Sequence, residues 1–198
     1  MDTSQIILSV CAGIALSAAC GFRVFVPLLC LSIASYTGHI HLTQSFAWVG
    51  TLPALVTFSV ATVVEILGYY IPYVDHLLDT IAGPTAVLAG VIATASLATD
   101  LPPSIRWVLA VVAGGGAATA TQLVTTKLRA ASTGTTGGLG NHAVSSLELA
   151  AAACLSVLAV IWPIVAIAVA VIILIVCLFI LYHVGKFVVK FFRKRQTT

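Results

Sequence analysis

Residues 63–84 read VVEILGYYIPYVDHLLDTIAGP, and they place four ionisable side chains in an otherwise apolar stretch: Glu65, Asp75, His76 and Asp79. Asp75 and Asp79 are four positions apart in the sequence, so on a helix they share one face. An ionisable group at membrane depth is costly, and by default it marks a candidate functional site. The search for a site therefore begins in this stretch.

The composition excludes an ordinary soluble domain. The chain of 198 residues is 60% hydrophobic and 8% charged, whereas soluble domains carry about 25% charged residues. At about 20 residues per span plus short loops, such a chain accommodates about six transmembrane helices. We therefore expect an all-α polytopic membrane protein that forms a single transmembrane domain over residues 1–198.

Five basic residues near the C-terminus indicate an orientation: Lys186, Lys190, Arg193, Lys194 and Arg195. Because they follow a long apolar run, we predict a basic cytoplasmic tail over residues 186–198. This tail would face anionic lipid headgroups of the bilayer, and we expect no nucleic-acid partner. With the tail inside, an even number of spans would put both termini in the cytoplasm.

The first apolar run, residues 6–36, is too long for one perpendicular helix and is interrupted by CGFRVFVP. Gly21 and Pro27 flank Arg23 near the middle of this run, which predicts a broken first helix. Arg23 would be either a fixed positive charge at a pore or substrate site, or a structural residue that pairs with a buried acid or snorkels to the interface. Both readings require an acidic or carbonyl partner for the guanidinium.

The remaining apolar runs predict five further spans, at residues 46–70, 83–98, 105–128, 142–161 and 163–183. Glu65 lies near the end of the second span, where Tyr69, Tyr70 and Tyr73 are typical of an interfacial aromatic belt. Residues 74–81 would form a short amphipathic turn before the third span.

Lys127 and Arg129 close the fourth span and are followed by AASTGTTGGLGNH. This segment predicts a loop that ends at Asn141, a residue suited to cap the fifth span. Exposed amides, a helix N-terminus and two cations would form an anion cradle. The alternative is a plain loop, because Gly, Ser and Thr clusters usually are loops. Glu148 follows about two turns into the fifth span.

The two parts of the chain share a plan, with repeat halves at residues 6–98 and 105–186. Three spans in each half would give opposite topologies, as in 3+3 inverted-repeat transporters. The positive-inside orientation brings six charged residues into the inner half of the bilayer, with Arg23 deeper. These six are Glu65, Asp75, Asp79, Lys127, Arg129 and Glu148.

Three motifs, in this order, carry a family resemblance: GIALSAACGFRVFVPLL, VVEILGYYIPYVDHLLDTIAGP and STGTTGGLGNHAVSSLE. Together they resemble a bacterial integral membrane family labelled domain of unknown function 4126, over about residues 6–160. The resemblance implies a multi-pass protein of the bacterial inner (plasma) membrane. It implies no activity, and it transfers no binding or catalytic residues.

From the residues, the first hypothesis is a small transporter or channel-like protein for an anionic or phosphate-bearing substrate. Its substrate or ion would be bound by Arg23, Glu65, Asp75, Asp79, Lys127, Arg129, Asn141 and Glu148. We expect no cofactor and no metal, since the cysteines lie in predicted spans without a C-x-x-C pair.

Two alternatives stay open. One is a non-catalytic membrane scaffold or assembly subunit, and the less favoured one is an intramembrane enzyme that uses the paired aspartates. Small-residue helix faces would allow homo-oligomerisation under any of the three hypotheses.

Overall fold

The structure is a computed structural model that describes residues 3–71, 74–137 and 140–195, without the side chains of residues 75, 76, 177, 178, 180, 181, 183–185 and 187–195. Every regular element in this described part is helical. The predicted all-α class is therefore confirmed.

In the described residues eight α-helices follow one another: α1 Thr3–Cys20, α2 Phe25–Tyr36, α3 Leu52–Gly68, α4 Val74–Leu97, α5 Pro103–Leu109, α6 Gly116–Thr136, α7 Asn141–Ile161 and α8 Pro163–Arg195. A 3-10 helix at Gln44–Gly50 precedes α3, and a π-helical segment at Ala110–Gly115 joins α5 to α6. Prolines stand in the first two positions of α3, α5 and α8, where the missing N–H has no intrahelical partner to lose.

Within the part of the chain that the structure describes, four helices are long and apolar enough to cross a bilayer: Thr3–Cys20, Leu77–Leu97, Pro103–Thr136 and Asn141–Ile161. The bent pair Gln44–Gly50 and Leu52–Gly68 would make a fifth span with a 62° bend. The surface carries large aliphatic side chains, such as Val112 and Leu147, which are 70% and 71% exposed. These features are those of a multi-pass membrane protein. The count of six spans and the inverted repeat remain predictions.

The predicted break in the first span lies at residues 21–24, but the chain reverses there instead of kinking. Ser17 of α1 donates a hydrogen bond to the Gly90 carbonyl, and Gly13 packs against Thr94, so α1 is antiparallel to α4. Glu65 of α3 contacts the start of α2, and Ser32 bonds to Val49 just before α3, so α2 is antiparallel to α3. Because α3 and α4 form an antiparallel hairpin, α1 runs parallel to α3. Since α2 is antiparallel to α3, α1 and α2 run in opposite directions.

Two predicted boundaries are wrong. The expected turn at residues 74–81 is the beginning of α4, which continues through Pro84 to Leu97. A proline removes only its own N–H donor, and the Thr85 hydroxyl adds a 2.8 Å bond to the Ile81 carbonyl across this turn.

The second wrong boundary is the predicted loop after Arg129, because α6 continues to Thr136. The hydroxyls of Thr135 and Thr136 bond back to the carbonyls of Ala131 and Ser132, so these residues stay helical. The helix ends at Gly137, whose φ of +64° is the left-handed conformation that glycine adopts without a Cβ clash. Fewer backbone amides are therefore open to an anion than the predicted loop would offer.

Small residues set the spacing of α1, α4 and α6. A Cβ on Gly90 would lie 2.8 Å from the Ala118 Cβ and 3.0 Å from the Gly114 carbonyl oxygen. Ser17 adds a 2.8 Å hydroxyl contact to Thr94. Close backbone approach through Gly, Ala, Ser and Thr is the usual basis of helix packing in lipid.

The bundle has two distinct ends. We call the end that holds the α1–α2 turn the Arg23 end, and the opposite one, where α4 finishes, the Thr99 end. Gln5, Leu97 and Pro163 line one cavity at the Thr99 end, so α1 and α8 both begin there. Because α8 runs away from Pro163, the N-terminus of α1 and the C-terminus of α8 lie at opposite ends.

We expect Gly21→Ala to lower the free energy of unfolding by about 1–3 kcal/mol, as overpacking does. A Cβ at Gly21 would lie 2.5 Å from the Ala118 carbonyl oxygen, which belongs to the backbone and cannot rotate away. Thermal unfolding in detergent measures the change. Gly116→Ala is the matched control, since nothing lies within 4 Å of its added Cβ. Equal stability of the two variants would contradict the close contact of the turn with α6.

Candidate functional site: a buried charge cluster

The α1–α2 turn places Arg23 inside the bundle. Backbone bonds from Gly21 to the Ala18 carbonyl (3.1 Å) and from Arg23 to the Ala19 carbonyl (3.2 Å) tighten the turn. Gly21 fits against α6, and this contact positions Arg23 next to α3 and α7. The Arg23 residue is only 2% exposed. A guanidinium buried this deeply needs partners supplied by the neighbouring helices.

Arg23 contacts α7 and the residue that follows α3. Its Nη2 donates a 2.9 Å hydrogen bond to the Ser145 carbonyl and lies 3.8 Å from Glu148 Oε2. Its Cζ lies 3.8 Å from the centroid of the Tyr69 ring, which is a cation–π contact. The Nε and Nη1 atoms are buried without a hydrogen-bond partner among the described residues. Arg23 therefore keeps unused donor capacity.

Arg129 is more completely paired. Its Nε and Nη2 donate to the two carboxylate oxygens of Glu148, the Nε bond being 3.0 Å long. Its Nη1 donates a 3.1 Å bond to Asp79 Oδ1. The Arg129 Cζ also lies 4.1 Å from the centroid of the Tyr69 ring. This bidentate fork plus a third acceptor is the geometry that favours arginine over lysine.

Glu65 has a different kind of partner. Its Oε1 accepts a 2.8 Å bond from the Val24 amide, and its Oε2 accepts a 3.1 Å bond from the Phe25 amide. These amides begin α2, where N–H groups have no intrahelical acceptor and the helix dipole favours an anion. Glu65 is 6% exposed, so its carboxylate is a buried cap of the α2 N-terminus.

We refer to Arg23, Glu65, Asp79, Arg129 and Glu148, with the Tyr69 ring, as the charge cluster. It contains two cations and three acids, so its described groups sum to −1 when all are ionised. Buried charges interact through a lower effective dielectric constant than charges in water. The cluster therefore joins the α1–α2 turn and the start of α2 to α3, α4, α6 and α7 at the Arg23 end.

The structure brings together five of the eight residues predicted from sequence, but their binding roles remain predictions. Lys127 is exposed on α6. Asn141 does not cap α7, because Gly140 occupies the cap position and the Asn141 amide donates a 3.0 Å bond to Thr133. The side chains of Asp75 and His76 lie outside the described part.

Tyr69 is the cluster member that sequence reasoning placed wrongly. The sequence predicts that Tyr69 belongs to an interfacial aromatic belt. In the structure Tyr69 is 6% exposed, and the guanidinium groups of Arg23 and Arg129 both make cation–π contacts with its ring. Its position four residues after Glu65 was the available signal, because such residues share a helix face. Tyr70 is exposed and bonds to Ser146 at 2.8 Å, while Tyr73 lies outside the described residues.

Two further polar atoms are unsatisfied near the cluster. The Ser145 hydroxyl belongs to the residue whose carbonyl binds Arg23, and the Thr62 hydroxyl lies one turn before Glu65 on α3. Both are buried without a hydrogen-bond partner in the described part. Since most buried polar atoms in proteins are paired, each orphan calls for an explanation. Within the same part, no group of three His, Cys, Asp or Glu side chains is placed to hold a metal ion.

Comparison with known families and proteins gives one match. A family model with the description Domain of unknown function (DUF4126) matches residues 10–183, a range that contains the whole charge cluster. No curated protein and no solved structure matches the chain.

We expect Tyr69→Leu to lower the free energy of unfolding by about 2 kcal/mol, because two buried cation–π contacts are lost. Tyr69→Phe is the matched control, since it keeps the ring below Arg23 and Arg129. Thermal unfolding in detergent compares the two variants. If the leucine variant is as stable as the phenylalanine variant, the ring does not support the arginines.

Proposed function

Because the chain belongs to the family described as Domain of unknown function (DUF4126), which offers no activity to transfer, we propose a function from the charge cluster. The protein is a small multi-pass membrane transporter or channel-like protein that carries an anion through a site at Arg23. The supporting observation is the set of buried polar atoms that lack a partner: Arg23 Nε, Arg23 Nη1 and the Ser145 hydroxyl.

The two arginines have different roles in this proposal. All three guanidinium nitrogen atoms of Arg129 donate hydrogen bonds to Glu148 or Asp79, so the charge of Arg129 is neutralised by these two carboxylates. Arg23 reaches the same Glu148 only at 3.8 Å and keeps Nε and Nη1 unpaired. Hydrogen bonds to a charged partner stabilise by about 1.5–3 kcal/mol, so an anion that pairs these donors gains substantially. Arg129 would position the site, and Arg23 would bind the anion.

A cavity at the Thr99 end, opposite the charge cluster, supports a translocation path. A cavity of about 260 Å³ at the Thr99 end is lined by polar side chains that include Gln5, Ser9, His41 and Asp100. Between this cavity and the cluster, Leu16, Ser17 and Thr94 are each 0% exposed, so the path is closed in this conformation. Transport then requires α1 and α4 to separate at their small-residue contact.

The basic C-terminus gives the proposed orientation in an inner membrane. α8 has 33 residues, and a helix of this length measures about 50 Å, which exceeds the hydrocarbon thickness of about 30 Å. Its end would emerge at the Arg23 end, with residues 186–198 against anionic headgroups in the cytoplasm. The charge cluster then lies in the inner half of the bilayer. In this proposed orientation the N-terminus would face the other side of the membrane, in place of the two cytoplasmic termini expected from sequence.

One observation favours the scaffold alternative. The Arg129–Glu148–Asp79 network joins three helices and leaves no Arg129 nitrogen unpaired, as expected of a structural staple. A scaffold would need this network, but it would gain nothing from unpaired donors on Arg23. The two functions are therefore separated by Arg23 and not by Arg129.

We expect Arg23→Gln to reduce anion flux at least about tenfold, which corresponds to losing one charged hydrogen bond to the anion. Uptake of nitrate, phosphate and chloride into liposomes that contain the full chain measures the flux. Size-exclusion chromatography and thermal unfolding establish that the variant is folded.

Arg106→Gln is the matched control, because it removes an equal charge and a buried Nε that likewise lacks a partner in the described part, but from the last turn of α5 near the Thr99 end and outside the charge cluster. Unchanged flux in a folded Arg23→Gln protein would refute the assignment of Arg23. A folded wild-type protein that carries none of the three anions would favour the scaffold.

A further inference from the structure

The Glu65 carboxylate occupies a site built for an anion. It accepts hydrogen bonds from two successive amides at the start of α2, a helix of 12 residues. We propose that Glu65 is an internal substitute for the substrate, and that a small oxyanion binds to the Val24 and Phe25 amides when Glu65 leaves them. This inference rests on the proposed function and names both its substrate class and its gate.

The contact geometry indicates the chemical class of the substrate. The two Glu65 oxygens, which share one carbon atom, each take one amide at 2.8 and 3.1 Å. An anion with two oxygens on one central atom can repeat this pattern, whereas a halide offers a single centre. Nitrate, phosphate and carboxylate groups therefore fit these amides, in the manner of other oxyanions at helix N-termini.

Arg23 supports the site independently of the helix N-terminus. It directly precedes the two amides in sequence, it is 2% exposed, and its Nε and Nη1 lack a hydrogen-bond partner in the described structure. Within the described residues Glu65 accepts hydrogen bonds from the two amides, and the Arg23 donors stay unused. An incoming oxyanion has further oxygen atoms, and it would use the amides and the guanidinium together.

A proton provides the means for Glu65 to leave. The described cluster sums to −1 with Glu65 ionised, and a proton from solution on its carboxyl would bring the sum to zero. A bound monoanion would then restore −1, so exchange conserves the charge of the cluster. The unpaired Thr62 hydroxyl, one turn earlier on α3, could accept the hydrogen bond of the protonated carboxyl.

The groups that face Glu65 are consistent with such an exchange. Arg23 from the turn and Arg129 from α6 act on its charge, and the Cys20 thiol at the end of α1 and the Tyr69 phenol, both neutral, lie within reach of that charge. Asp79 of α4 and Glu148 of α7 lie beyond, against Arg129. Both cations thus attract the Glu65 carboxylate and the incoming oxyanion alike. Protonation of Glu65 then decides whether the carboxylate or the oxyanion binds to the two amides. Transport should therefore increase as the pH falls.

A binding measurement tests the site without requiring transport. Glu65→Ala empties the α2 N-terminus, so nitrate or phosphate should raise the melting temperature of this variant by about 3 °C at roughly ten times the dissociation constant. Chloride at equal ionic strength should not, and the wild-type protein at about pH 7.5 should not respond. If Glu65→Ala does not fold, Glu65→Ser provides the same empty amides.

A flux measurement tests the gate. Wild-type uptake of nitrate and phosphate should be severalfold higher at about pH 5.5 than at about pH 7.5. Glu65→Gln mimics the protonated carboxyl, so its uptake should lose this pH dependence and stay high at both values. Arg106→Gln is the control, because it lies in the last turn of α5, outside the charge cluster and outside the lining of the Thr99-end cavity, and it should retain the wild-type pH profile.

The outcomes separate the two proposals. The substitute role of Glu65 would be overturned if the melting temperature of Glu65→Ala did not depend on the anion. A wild-type pH profile in Glu65→Gln would also overturn it, even if the protein transports anions. Anion-dependent melting without any wild-type flux would retain the oxyanion site and refute transport. An equal response to chloride would refute the oxyanion class.

Discussion

The fold depends on burying two guanidinium groups in a bundle whose outer surface is apolar. Arg23 and Arg129 share the Tyr69 ring and the Glu148 carboxylate, so a single α7 acid and a single aromatic residue serve both cations. Removing one member of such a buried set leaves a charge without compensation, which costs several kcal/mol. The contacts join residues from the α1–α2 turn and from α3, α4, α6 and α7 at one end of the bundle. The reversal at residues 21–24 is needed to bring Arg23 to this point.

The same arrangement separates structural from functional charge. Arg129 lies on a long helix and is held by two acids from two other helices, which suits a fixed support. Arg23 lies on a turn between two antiparallel helices, beside amides that donate to the Glu65 carboxylate, which suits the binding role that we propose. Polar atoms that stay unpaired cost stability, and proteins retain them mainly where they are used. The proposed site thus centres on the junction of α1 and α2, with Ser145 of α7 and Glu65 of α3 beside it.

Much of this could be predicted from sequence, because a few ionisable residues stand out in an apolar chain. The helical class, the break beside Arg23 and the association of Arg23 with Glu65, Asp79, Arg129 and Glu148 follow from that contrast. The reversal could not be predicted, because a Gly and Pro pair is equally compatible with a kink and a turn. The helix boundaries at Pro84 and at residues 135–136 were predicted wrongly for a related reason. Composition predicts a helix break at both places, but side-chain hydroxyls bond to carbonyls one turn earlier and the helix continues.

The proposed function requires that an anion reach Arg23 from solution, and the accessibility of position 145, next to Arg23, tests this most directly. Ser145 is 1% exposed and its carbonyl binds Arg23, whereas His142, one turn earlier on α7, is exposed. Single cysteines at these two positions, in a chain whose five native cysteines are replaced, can be labelled in membranes with anionic and cationic thiol reagents of equal size. We predict that the anionic reagent labels Ser145→Cys about tenfold faster than the cationic one, relative to the same ratio at His142→Cys. Labelling at His142→Cys with no labelling at Ser145→Cys in the folded protein would contradict the account.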